Sequence, residues 1–306
     1  MTGYGDPRYV GSLGHFGQPI DLPGSGGSLL RRTIDAGRAD AIGTYPFLVC
    51  RDWGALAADL GALANDLVSI VAVPDPLGEH TLADLEAAFP DLLVPYKRHY
   101  LVDLRSKNSL GKHHRRNLRR AAELVEVERV VEPIAEQTTW CGLYANLIDR
   151  HHVEGIAHFS DQALVEQLSA GGLTMFCARQ DGRAVGMALF YTAGDDVYYH
   201  LGAYNAAGYA AKASYALFDS AIKWFRAEGG RRLLLGSGAG LSSDATDGLS
   251  RFKRGWATDS MVGYLGGRIG DRGVYDALSE GFRGDYFPAY RSPLTMVVRE
   301  GTSSNA

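Results

Sequence analysis

Residues 173–235 read LTMFCARQDGRAVGMALFYTAGDDVYYHLGAYNAAGYAAKASYALFDSAIKWFRAEGGRRLLL, and their pattern decides the fold class. Leu173–Arg179, Ala184–Thr192 and Val197–Ala203 are apolar and aromatic runs of strand length, separated by Asp181-Gly182 and by Gly194-Asp-Asp196. Asp-Gly between two such runs is a strong hairpin signal, because the glycine accepts the positive φ that the favoured turns need. The three runs therefore predict an antiparallel meander. Tyr209–Arg226 repeats apolar residues at helical spacing and stops at Glu228-Gly-Gly230, which predicts a long amphipathic helix with a glycine stop. Arg232–Leu235 follows as a short apolar strand entering Gly236-Ser-Gly-Ala-Gly240.

Upstream, Ser160 is placed to cap a helix over Asp161–Ala170, and Pro133 suits the first turn of a helix reaching about His151. Val125–Val131 reads as a strand, preceded by a basic helix over Ser109–Leu124. The first half alternates: strand Phe47–Cys50, a helix over Trp53–Leu67 capped by Asp52, strand Val68–Val73 ended by Pro74-Asp-Pro76, helix His80–Phe89, strand Tyr100–Leu104. That alternation predicts an α/β unit. Gly3–Ser28 holds eight glycines and little apolar periodicity, so residues 1–40 read as an irregular leader. Beyond the quoted stretch come a strand near Met261–Leu265 and a helix near Val274–Phe282.

The 306 residues carry a net charge of −4 and 46% hydrophobic residues, the profile of a globular chain rather than a polyanion coat. The longest apolar stretch, about 67–74, is far short of the ~20 residues a membrane span needs. The N-terminus shows neither a basic nor an apolar signal region. Cys50, Cys141 and Cys177 are odd in number and lack Cys-x-x-Cys spacing, which excludes a disulfide framework and predicts reduced thiols in a cytoplasmic protein.

Three constellations carry candidate chemistry. Arg105 to Arg120 holds seven Lys and Arg with no acid before Glu123. Helical spacing puts Lys112, Arg115, Arg116, Arg119 and Arg120 on one face. Such a face suits a phosphate-rich ligand, whether a tRNA, a nucleotide diphosphate or coenzyme A, or else pairs with surface carboxylates. In Asp247-Gly-Leu-Ser-Arg-Phe252-Lys253-Arg-Gly-Trp256, the apolar residues Leu249, Phe252 and Trp256 fix the direction of Lys253, which then suits an oxyanion or a phosphate; a plain surface lysine is the bland alternative. Gly202-Ala-Tyr204-Asn-Ala-Ala-Gly208-Tyr-Ala-Ala-Lys212 is a small-residue loop opening a helix, an anion or carbonyl cradle or a simple connection. His200 and Asp196 are candidate acid–base groups, equally suited to core or turn roles. His151-His152 and His158 lack a completing carboxylate, so no metal is expected. There is no Gly-x-Ser-x-Gly elbow, Walker loop or dinucleotide fingerprint.

The order of helices, meander, long helix and strand is that of the GNAT acyltransferase fold, and the chain resembles the FemABX-like branch of that superfamily. Three stretches carry the likeness: His114-Arg-Arg-Asn-Leu-Arg-Arg-Ala121, Leu201-Gly-Ala-Tyr-Asn through the long helix to Leu235-Gly, and Gly248-Leu-Ser-Arg-Phe-Lys-Arg-Gly255. The resemblance implies an α/β (α+β) fold with a mixed central sheet flanked by helices, in tandem GNAT-like halves: a degenerate half over 41–131 and an acyltransferase domain over 132–306. It implies an amide-forming enzyme moving an aminoacyl group from aminoacyl-tRNA to the amine of a small molecule or peptide, of the kind used in antibiotic biosynthesis or on cell-envelope precursors. Lys253 then lies near the ester carbonyl with Phe252, Trp256 and Tyr204 packing the site. Lys112, Arg115, Arg116, Arg119, Arg120 and Lys212 hold donor phosphates, and Asp247, Asp244, His200 or the leaving ribose itself takes the amine's proton. No cofactor is implied, and a carrier protein is a possible partner. The Gln/Arg-x-x-Gly-x-Gly/Ala coenzyme A signature is absent before Gly208, which favours tRNA. An acyl-CoA or carrier-protein donor on the same fold, and a non-catalytic RNA-binding module, are the alternatives.

Overall fold

The computed structural model describes residues 1–106, 110–238, 247–282 and 284–292. The chain divides into two compact units, one of Met1–Ser12 with Lys97–Val262, the other of Leu13–Tyr96 with Gly263–Ala306. Each is a mixed sheet flanked by helices.

Residues 1–40 are not an irregular leader. They begin with α1 (Pro7–Ser12), and β1 (Gln18–Asp21), β2 (Ser28–Asp35) and β3 (Arg38–Gly43) follow as an antiparallel ladder. The glycines there sit largely between these elements, punctuating strands too short to show a clear period of two. The run Phe47–Cys50 makes only a single bridge, Leu48 to Pro74. The helix expected over Trp53–Leu67 is shorter, α2 (Leu56–Leu63), because Asp52 accepts from the Gly54 and Ala55 amides and so closes a turn ahead of it. Then come β4 (Ser69–Ala72) and α3 (Leu82–Ala88), the latter closed by a Thr81–Asp84 capping box. β5 (Leu92–Asp103) carries the chain into the other unit.

There α4 (Lys112–Leu124) and β6 (Glu126–Val130) lie close to their expected limits, residues 107–109 being outside the described set. A 3-10 turn at Pro133–Glu136 precedes α5 (Gln137–His151), and α6 (Asp161–Leu168) starts at Ser160, whose Oγ accepts from the Ala163 amide. β7 (Leu173–Gln180), β8 (Arg183–Ala193) and β9 (Asp196–Tyr204) form the expected antiparallel meander. The single helix expected over Tyr209–Arg226 is two, α7 (Ala206–Ala211) and α8 (Ala213–Ala227). They break at Lys212, which adopts φ 59°, a left-handed conformation that interrupts the helical ladder. β10 (Arg232–Gly236) pairs in parallel with β9 and antiparallel with β5. α9 (Gly248–Trp256) follows, and β11 (Asp259–Ile269) leads back to the second unit, where α10 (Arg272–Leu278) is followed by a 3-10 turn at Ala289–Arg291.

The core of the first unit is built by α8 through Leu217, Phe218, Ala221, Ile222 and Phe225, packed on Val102, Phe176, Ala188, Phe190 and Leu233. Each such fully buried large side chain is worth about 1.5–3 kcal/mol of transfer free energy. In the second unit, Leu29, Ala41 and Ile70 from the sheet pack with Leu56, Leu60 and Leu85 of α2 and α3. Charge is segregated between the units: the first holds 22 Lys and Arg against 19 Asp and Glu, the second 9 against 16.

Candidate active site

β9 and β10 part company within the first unit. Their parallel pairing runs from Arg232↔Asp196 to Leu234↔Tyr198 and stops, whereas β9 continues to Tyr204. β10 turns away, with a register shift against β5 between Leu234 and Gly236. An opening between two strands leaves backbone groups and side chains facing a cleft inside the sheet. Lys253, from α9, reaches this opening. It is 6% exposed, its Nζ donates to the Ser237 carbonyl at 2.6 Å, and Nζ lies 5.6 Å from the Tyr199 ring centre.

Among the described residues no carboxylate lies within ion-pair distance of the Lys253 amine. Burial pulls its pKa down to about 7, with Lys97 acting in the same direction and Asp247 against it. His99 on β5 is within electrostatic reach and is itself held at about 4 by burial, Lys253 and Lys97. Lys97 is lowered by burial as well. An amine that ionises near neutrality can donate to a developing oxyanion when charged and accept a proton when neutral.

α9 is aimed by its packing. Asp247 caps it, Oδ1 accepting from the Leu249 and Ser250 amides; this structural duty sets the first turn and hence the direction of Lys253. Phe252 and Trp256 pack on Tyr215 and Phe218 of α8 and on His114 of α4. His114 Nε2 lies 2.9 Å from the Phe252 carbonyl, and the ring occupies the space where any β-carbon at residue 255 would fall. Gly255 is therefore what allows α4 and α9 to touch. The ring also shows that α4 buries His114, Asn117 and Ala121 while presenting Lys112, Arg115, Arg116, Arg119 and Arg120 to solvent. Among the described residues none of these five forms an ion pair, and Arg116, Arg119 and Arg120 line a shallow surface groove with Glu123 and Leu124.

The remaining sequence candidates separate. His200 stands on the opposite face of β9 from Tyr199, hydrogen-bonded to Tyr4 and Gln167 and ringed by Tyr9, Phe159 and Tyr191. Burial holds it at about 3, and the sheet lies between it and Lys253. Asp196 is bound by Arg231 and Arg232 at the start of β9, away from the opening. Lys212 is exposed at the α7–α8 junction. Asp244 lies outside the described residues. Tyr204, by contrast, comes back to the Tyr199 side. His200 is the extra residue of a bulge between Leu189↔Leu201 and Phe190↔Tyr199, and a bulge resets the alternation of a strand. Sequence reasoning missed His99, Lys97 and Tyr199. The i, i+2 spacing of Lys97 and His99 puts both on one face of β5, but nothing in the chain order says that this strand adjoins β10.

Residues 108–254, all within the first unit, match the acetyltransferase (GNAT) domain family. The chain has the fold of FemX, with a TM-score of 0.63 at 15% identity over 89% of this chain and 93% of that one. It is also similar to the C-terminal domain of a putative lysylphosphatidylglycerol synthetase from Agrobacterium fabrum (TM-score 0.58, 18% identity, 92% and 94% covered). A third likeness is to L-PGS from Bacillus licheniformis (TM-score 0.58, 14% identity, 89% and 94% covered). No curated protein matches. Residues 108–254 thus carry a match to the acetyltransferase (GNAT) domain family, and the chain shares the fold of FemX and of these synthetase domains. Among the described residues no helix is long and apolar enough to cross a membrane.

Proposed function

We propose that the protein transfers an aminoacyl group from aminoacyl-tRNA to the amine of a small-molecule or peptide acceptor. One observation carries the reading: α4, whose exposed basic face is not neutralised by described carboxylates, packs through His114 directly onto the helix that holds Lys253 in the strand opening. A polyphosphate backbone held on α4 is thereby tied to the reacting centre through a rigid helix pair. The excess of Lys and Arg in this unit, against the acidic second unit, favours the same partner. Lys112, Arg115, Arg116, Arg119 and Arg120 are the phosphate contacts of this reading.

The acceptor nitrogen attacks the ester carbonyl, the C–N bond forms and the C–O bond to the ribose breaks. An ammonium has three N–H groups; the Ser237 carbonyl takes one from Lys253, and another meets the oxyanion as it develops. A donor of this kind contributes ~3–4 kcal/mol to the barrier, so Lys253→Ala lowers the rate roughly a hundredfold or more. The test supplies pooled radiolabelled aminoacyl-tRNA and, separately, labelled acetyl-CoA, with an extract of small amines and peptides, and follows label into RNase-resistant amide. Label from tRNA that disappears in Lys253→Ala supports the reading; label from acetyl-CoA alone refutes the tRNA donor.

A further inference from the structure

Three basic side chains gather at the strand opening, all within the first unit. Lys253 is 6% exposed, and among the described residues its Nζ donates only to the Ser237 carbonyl, at 2.6 Å. An ammonium has three N–H groups, so two of them meet no acceptor in the described chain. Gly236 lies against the amine: a β-carbon there would stand 3.2 Å from Nζ. Gly236 pairs with Tyr100 of β5, and the neighbouring residue on that strand, His99, is buried. Lys97 shares the His99 face of β5 by strand alternation and is partly buried. The three groups lie within reach of one another's charge. Lys253 and Lys97 both act with burial to lower the His99 pKa, and Lys97 acts the same way on Lys253.

Like charges drawn together out of water repel, and each is costly to bury without a counter-charge. Asp247 opposes them only from the start of α9, where its Oδ1 is taken by the Leu249 and Ser250 amides. The cluster is therefore complementary to an anion that arrives with a ligand. The donor does not supply it: its phosphates belong to α4, and its reacting end is an ester beside a ribose, with a cationic aminoacyl nitrogen. A plain amine does not supply it either, since it arrives largely as an ammonium ion and is repelled. An α-amino acid brings its own counter-charge, one carbon away from the nitrogen. We propose that the acceptor is an α-amino acid whose carboxylate is held at the strand opening by Lys97, His99 and Lys253. One free N–H of Lys253 then meets the carboxylate and the other the oxyanion, which sets the acceptor nitrogen beside the carbonyl it attacks. This assignment rests on the amide-forming reading above and narrows its acceptor.

The test uses the full chain, with pooled labelled aminoacyl-tRNA and labelled acetyl-CoA as donors. The acceptors are free amino acids and, in parallel, their amides, which keep the amine and lose the carboxylate charge. The amino acids are used with kcat/KM about ten- to a hundredfold above their amides, the range for one hydrogen bond to a charged group. Lys97→Met raises KM for the amino acid about tenfold and that for its amide far less, while Lys97→Arg keeps the preference. Binding is read without turnover from N-acetylglycine, a carboxylate with no free amine. It binds the wild type in calorimetry at pH 7.5 with uptake of protons, because an anion beside Lys253 favours the charged amine, and it binds Lys97→Met about tenfold more weakly. Amides used as well as amino acids, a Lys97→Met effect on the donor KM alone, or no binding of N-acetylglycine overturns the carboxylate subsite and leaves the amide-forming reading in place. No transfer to any amine by the wild type overturns the acceptor assignment and the amide-forming reading together.

Discussion

Replacing Lys253 with methionine separates the two things that the lysine does. Met keeps the length and apolar stem while removing the charge and the hydrogen bond to Ser237. In the folded protein Lys253 releases its proton near pH 7, against 10.5 for an ordinary lysine. Between those values the unfolded chain binds more protons than the folded one, so wild-type stability rises with pH across the window and falls as pH drops back to 7. Each pH unit is worth about 1.4 kcal/mol, which makes the full cost of holding the charged amine about 5 kcal/mol below pH 7. Methionine escapes that cost but leaves the Ser237 carbonyl unmet, at about 1–3 kcal/mol independent of pH. Lys253→Met is therefore more stable than the wild type at pH 6 by about 2–4 kcal/mol, and the order reverses or vanishes by pH 10. Guanidinium unfolding of both chains at intervals from pH 6 to 10 measures the difference, in which the groups that do not feel the Lys253 charge cancel, His99 contributing only at the acid end. A gap between the two chains that does not change with pH refutes the depressed ionisation of Lys253 and with it the account of the strand opening.

Changing Arg115, Arg116, Arg119 and Arg120 together to glutamine weakens tRNA binding and reduces the slope of log affinity against log salt by about 3–4, close to one unit for each phosphate no longer engaged; a slope equal to that of the wild type removes α4 from the interface. His200 sits on the far face of β9 and is held neutral, its pKa lowered by burial to about 3. The unfolded chain takes up its proton first as pH falls from about 6.5 to 3, so wild-type stability is lost across that interval. His200→Gln flattens this acid limb in an unfolding titration and leaves acyl transfer intact; loss of transfer without loss of stability puts His200 back in the mechanism.

The meander, the helix after it and the strand into Gly236 were legible because each rests on local signals: Asp-Gly turns, helical spacing, a terminal glycine pair. The direction of Lys253 was legible in part: Phe252 and Trp256 pack on α8 and α4, but Leu249, read with them, is 39% exposed and packs on neither. What a local pattern cannot carry is a pairing between distant strands. The role of Lys97 and His99 depends on β5 lying beside β10, a partnership of residues about 130 apart in the chain. The break at Lys212 was invisible for another reason: lysine at a left-handed position has no sequence signature as glycine does. The return of Tyr204 to the site face follows from one bulged residue, His200, and bulges leave little trace in composition. The strands within residues 1–40 were lost to their many glycines, which mask alternation in short runs.

The two units are interleaved along the chain, and this dictates the order in which the molecule can be finished. The ladder of β4 with β11 joins Ser69–Ala72 to Gly266–Ile269, so an emerging polypeptide must wait nearly two hundred residues for that strand's partner. Val68 and Ser69 wait longer still for Tyr290. Lys97–Val262 meanwhile holds its meander, its long helix and their shared core in one unbroken stretch, with only Met1–Ser12 borrowed from earlier in the chain. Local contacts form sooner than distant ones, so the catalytic body closes first during synthesis, while the acidic unit stays an open ladder until the last strand arrives. A truncation ahead of β11 spares the former and strands the latter.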